Sequence, residues 1–78
     1  MTAQEELHRV RWQCRRGLLE LDLALLAFVD RHYATLSSSE RAAFRRLLDT
    51  PDAQLQAWLL GNEEAPDYDF KQLIEKIR

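Results

Sequence analysis

Glycine and proline are scarce in this chain, two of each in 78 residues, and cysteine occurs once. Gly17 and Gly61 lie too far apart to build a phosphate-cradling loop, which needs several glycines in one turn. The lone Cys14 cannot close an internal disulfide, which excludes a cystine-stapled scaffold. His8 and His32 are too widely spaced to join it in a zinc set. The longest uncharged, mostly apolar run, Leu23 to Val29, is seven residues. A membrane-spanning helix needs about 20. The first residues, Met1 to Leu7, contain Glu5 and Glu6 and no apolar stretch, so no signal peptide is expected. A net charge of −2 argues against a general nucleic-acid binder. With ample leucine the composition is not that of a disordered chain. These absences leave a small soluble intracellular protein. A chain this short buries about 60–65% of its unfolded surface. That supports one core and one domain, spanning residues 1–78.

What is present reads as five helices. Leu7, Val10 and Cys14 make one apolar stripe on a first helix, from Thr2 or Ala3 to Arg15. Trp12 lies about 140° from Leu7 around that helix and is off the stripe. Gly17 then offers a C-terminal cap with positive φ, or a kink between two helices. The second helix runs from Leu18 to Tyr33 or Ala34. Leu18, Leu21, Leu25, Phe28 and Val29 share a face that Leu26 and Tyr33 widen, and Leu19 and Leu23 extend the apolar character further round, which marks it as the central helix. Glu20 falls on the side of Ala24, Ala27 and Arg31. Asp22 falls inside the apolar stripe and must be paired or hydrogen-bonded, because burying a bare carboxylate costs several kcal/mol. Ser37 and Glu40 fit a capping box for the third helix, with Phe44, Leu47 and Leu48 facing inward. Thr50 as N-cap and Pro51 as first helical residue open the fourth, which Gly61 closes. Pro66 or Asp67 opens the fifth, where Phe70, Leu73, Ile74 and Ile77 share a face. No segment alternates with period two, so the fold class is all-α, a compact five-helix bundle.

Catalytic sets are hard to assemble from these residues. Cys14 on an apolar stripe is expected to be a buried small hydrophobe. His32 sits where a helix C-terminus favours a cation. The acidic group from Glu63 to Asp69 lacks the spacing and glycine of a calcium loop. What stands out is charge placement. Nine of the eleven cations are arginine, and Arg9, Arg11, Arg15 and Arg16 crowd the first helix. One reading is a solvated helix end; the other is a guanidinium surface for a carboxylate- or phosphate-bearing partner. At Arg16-Gly17-Leu18-Leu19-Glu20 a bare backbone would lie between opposite charges, and Trp12 off its stripe suits an interface anchor.

The pattern Arg9-x-x-Trp12-x-Cys14-Arg15-Arg16-Gly17-x-x-Glu20-Leu21-Asp22 resembles the succinate dehydrogenase assembly factors that promote flavin attachment, a family marked by Arg-Gly-x-x-Glu. The resemblance extends through Phe28, Tyr33, Leu36, Glu40, Phe44, Leu47, Leu48, Asp52, Leu55, Trp58 and Leu59, over roughly positions 7 to 77. It implies a five-helix bacterial cytoplasmic protein, not an enzyme. Such a protein binds the flavoprotein subunit of succinate dehydrogenase, and in some bacteria of fumarate reductase. It would promote covalent linkage of FAD to a client histidine, the FAD belonging to the client. Arg16, Gly17 and Glu20 would form the motif surface with Arg9, Trp12 and Arg15 beside it. Asp22 would either touch the client or fix an arginine inside the factor. The resemblance brings no nucleic acid and no membrane insertion, and the free chain is expected to be a monomer. Some members carry a further polar tail after the position of Arg78. The alternatives are a helical adaptor or antitoxin that uses Trp12 and the arginines, and a DNA-binding regulator built on the arginine-rich helix.

Overall fold

The computed structural model describes residues 2–78. Five α-helices follow in order: α1 (Ala3–Gln13), α2 (Leu19–His32), α3 (Ser38–Leu48), α4 (Asp52–Leu59) and α5 (Tyr68–Ile77). A 3₁₀ turn (Tyr33–Thr35) continues α2. Among the described residues there is no strand, and no helix is long and apolar enough to cross a membrane.

Local chemistry sets the starts of the helices. Thr2 caps α1, its hydroxyl accepting from Glu5 N at 3.1 Å. At α3 the capping box closes both ways: Glu40 N donates to Ser37 Oγ at 3.2 Å and Ser37 N donates to Glu40 Oε1 at 2.9 Å. Asp67 caps α5 by accepting from Asp69 N and Phe70 N. The start of α4 lies one residue later than its sequence suggests. Thr50 N donates to Leu47 O, so Thr50 finishes the turn that ends α3. Pro51, extended at φ −57° and ψ 146°, takes the N-cap position, and its carbonyl accepts from Gln54 N and Leu55 N. Helix α1 stops at Gln13, short of the Arg15 its pattern allows, with Cys14 as C-cap.

The core gathers around α2, which touches α1, α4 and α5, while α5 also lies against α3 and α4. Leu21, Leu25, Phe44, Leu47, Leu55, Val10 and Cys14 are sealed from solvent. Phe44 packs with its ring centroid 5.1 Å from Phe28 and 6.0 Å from Tyr33. Cys14 behaves as the apolar residue its spacing predicts: burial pushes its thiol up to about 12, so it stays protonated and inert. One apolar expectation needs correcting. Leu19 and Leu23 do not widen the buried face of α2; they are 74% and 58% exposed. They project opposite Leu21 and Leu25, where no helix of the bundle arrives to cover them.

Ion pairs lace the outside. Glu6 reaches Arg41 at 3.6 Å and Arg45 at 3.1 Å, tying α1 to α3. Glu40 pairs with Lys76 at 3.0 Å, tying α3 to α5. The Ser37 backbone N–H, then the Lys76 ammonium, hold the Glu40 carboxyl down at about 2 from an ordinary 4.5. Because the folded state prefers the ionised form, this contribution is complete above the ordinary value and disappears as the pH falls toward 2. Glu40→Gln should therefore lower the urea midpoint at neutral pH. The gap from wild type should close between about pH 5 and pH 2. A gap that persists at the acid end would assign the loss to packing instead.

Candidate partner-docking surface

The corner between α1 and α2 is built from residues 14–18. Gly17 is at φ +80°, the left-handed region where glycine alone is free of strain. Two consecutive N–H groups at this corner converge on one acid. Arg16 N donates to Asp22 Oδ1 at 2.8 Å and Gly17 N to Asp22 Oδ2 at 3.2 Å. Asp22 thus meets the requirement that its place in the apolar stripe imposes, and it fixes an arginine through that residue's main chain.

The Arg16 side chain turns inward. Its Nε donates to Gln13 O at 3.0 Å, its Nη1 to Asp52 Oδ1 at 3.0 Å, and its Nη2 to Leu48 O. The guanidinium thereby closes the end of α1 and staples the corner to the α3–α4 connection. Its side chain is only 17% exposed. The expected picture of Arg16 and Glu20 as two opposite charges flanking a bare glycine therefore changes: Asp52 balances Arg16, and Glu20 remains outside on the first turn of α2.

What faces solvent is Gly17, Glu20, Trp12, Arg15 and Arg9. A β-carbon built on Gly17 would meet no atom within 4 Å, so the backbone there is open to an approaching molecule. Trp12 is 70% exposed, with the Arg15 guanidinium 5.7 Å from its ring centre. Two shallow grooves flank Trp12. One, of about 200 Å³, is lined by His8, Arg11, Arg15 and Leu26; the other, of about 320 Å³, by Gln13, Arg15, Arg16, Leu48 and Asp49. The arginine patch read from sequence divides in two. Arg11 pairs with Asp30 and Arg16 with Asp52, whereas Arg9 and Arg15 have no acidic partner among the described residues.

The structure gives roles that the sequence pattern did not. Asp52 and the Leu48 carbonyl hold Arg16, and nothing in a linear pattern points across that distance. Leu19 and Leu23 form an outward ridge, with Leu26 half-buried against the core at its far end; their apolar character was legible, but the outward direction of the first two was not. Among the described residues, no group of three or more His, Cys, Asp or Glu is placed to hold a metal ion. The arrangement offers recognition: an open backbone at the braced corner, the Glu20 carboxylate on the first turn of α2, and the exposed Trp12 indole with the Arg9 and Arg15 guanidinium groups along α1 and its end.

Residues 8–78 match the family model described as the flavinator of succinate dehydrogenase. The chain is 44% identical over 70 residues to a Shewanella oneidensis protein named FAD assembly factor SdhE, covering 90% of this chain and 85% of that one. A Coxiella burnetii protein of the same name is 43% identical with the same coverage. One from Aliivibrio fischeri is 36% identical over 77 residues, covering 99% of this chain and 90% of that one.

Proposed function

Because the chain belongs to the succinate dehydrogenase flavinator family, we propose that it binds the flavoprotein subunit of succinate dehydrogenase and promotes covalent attachment of FAD to that subunit. The observation that carries this reading is the open Gly17 backbone, held at positive φ by Asp22 and stapled through Arg16. A main chain so exposed and so well braced suits close approach by a large partner.

In this reading Gly17, Glu20, Trp12, Arg15 and Arg9 touch the client. Arg16 and Asp22 position the corner. The protein is an assembly factor and not an enzyme: it carries no FAD of its own, and bond formation between flavin and client histidine takes place inside the client. Its contribution is differential binding. A partner shifts a conformational equilibrium only by as much as it prefers one state, so the factor must hold best the client arrangement in which FAD and histidine are aligned. It acts in the bacterial cytoplasm as a monomer, and the flavoprotein of fumarate reductase is a second client of the same chemistry.

Removing the gene from its host and measuring in-gel flavin fluorescence of the denatured client tests this. The fluorescence should collapse and return when the gene is restored. Undiminished covalent flavin in the deletion strain, across several growth media, would sink the proposal.

A further inference from the structure

We infer that the interface continues beyond the Gly17 corner along the outer ridge of α2, and that this ridge takes an apolar segment of the client bearing one or more carboxylates. The inference rests on the reading above and extends it to residues outside the Arg-Gly-x-x-Glu pattern.

Three of the five large apolar side chains exposed among the described residues lie here: Trp12, Leu19 and Leu23. Leu19, Leu23 and Leu26 fall on one line of α2 by helical spacing. Leu26, half-buried against the core, shows its outer edge in a groove that Trp12 also lines, so the indole and the far end of the ridge meet across it. Scattered apolar side chains on a surface are ordinary, but a contiguous set with a polar rim marks an interaction site. The ridge is also adjacent to Glu20 and Gly17 in sequence and begins at the same first turn of α2.

The rim gives the sign of the partner. Arg15 and His8 line the groove without an acidic partner among the described residues, whereas Arg11 is already balanced by Asp30. At the groove end of the ridge the residual charge is positive, Glu20 standing at the other end, and it asks for a carboxylate, which a guanidinium stacked on an indole receives well. The groove between α3 and α5 beside Tyr68, which is also exposed, lacks this selectivity. Its charges cancel within the fold, Glu40 with Lys76 and Asp69 with Arg46.

The test measures binding of the purified apo flavoprotein subunit to the wild-type factor and to Leu19→Lys, Leu23→Lys and Arg15→Gln. Circular dichroism melting checks each variant's fold. Since both leucines lie outside the core, melting should be unchanged, while each lysine should weaken affinity about tenfold or more. Arg15→Gln should weaken binding and flatten its salt dependence. Unchanged affinity in both leucine variants, with Gly17→Arg still abolishing capture, overturns the ridge and leaves the proposed function standing. Unchanged affinity and salt response in Arg15→Gln overturns the carboxylate. No capture by the wild-type chain removes both readings. A wild-type dimer in sedimentation that Leu23→Lys converts to monomer, at unaltered client affinity, assigns the ridge to a second copy and overturns the inference.

Discussion

Gly17→Arg is expected to bring covalent flavin on the client down to the level seen without the factor, while the variant remains folded. A non-glycine residue at left-handed φ costs roughly 1–2 kcal/mol. A domain of this length has a total stability of about 4–12 kcal/mol. The β-carbon of the added side chain meets no atom within 4 Å, so the side chain leaves the backbone into open space. It projects into the space a partner would occupy. Gly17→Asn is the informative companion. Asparagine tolerates the left-handed conformation and adds only a short polar group, so it should keep the fold and lose binding partially. A graded loss of client capture, from glycine through asparagine to arginine, at nearly constant melting temperature is the expected result. If Gly17→Arg unfolds while Gly17→Asn retains full capture, the glycine serves backbone conformation alone.

Arg16→Ala is expected to lower both stability and flavin attachment, for one reason. The guanidinium is mostly buried and holds Gln13 O, Leu48 O and Asp52. Hydrogen bonds to charged groups contribute about 1.5–3 kcal/mol each, but the exposed flank of Asp52 lets water replace part of that. A net loss of about 2–3 kcal/mol corresponds to roughly 10–20 °C in melting temperature for a domain of this size. Asp52→Ala should reproduce a smaller part of this loss, and a double-mutant cycle should return a positive coupling between the two. The functional arm separates positioning from contact. Asp52 lies in α4 and is joined to the corner through the Arg16 side chain, so a positioning role predicts that Asp52→Ala also slows flavin attachment at a temperature where the variant is fully folded. Full activity in Asp52→Ala, with loss in Arg16→Ala, would mean that Arg16 itself meets the client.

Local features of this fold could be read from the chain because they close within a few residues. The Ser37–Glu40 box needs three positions; for α5 the chain offered Pro66 or Asp67 as the start, and the structure makes Asp67 its cap. The need of Asp22 for hydrogen-bond donors followed from one helical wheel, although the identity of those donors did not. Thr50 failed as an N-cap because α3 used it first, a competition between neighbouring elements that propensity does not register. Leu19 and Leu23 failed as core because a helix pattern states how apolar a face is, and only the packing of the other helices states whether anything lies against it. Arg16 shows the limit most directly. In sequence it looks like one more surface arginine, and its role depends on a carboxylate 36 positions away. For the docking surface, the residue types and the open glycine were legible. The division of the arginines into braced and free was not.

The placement of the two tryptophans has an optical consequence. Trp12 stands 70% exposed at the proposed docking surface, and Trp58 is 7% exposed beside Phe70, ring centroids 5.9 Å apart. The chain therefore carries two tryptophan fluorophores with separate assignments. Iodide quenches the solvent-facing indole and leaves the enclosed one bright, so quenchable emission follows occupancy of the surface while unquenchable emission follows integrity of the core. A titration with client read in both channels distinguishes a factor that has docked from one that has merely unfolded, with no label attached.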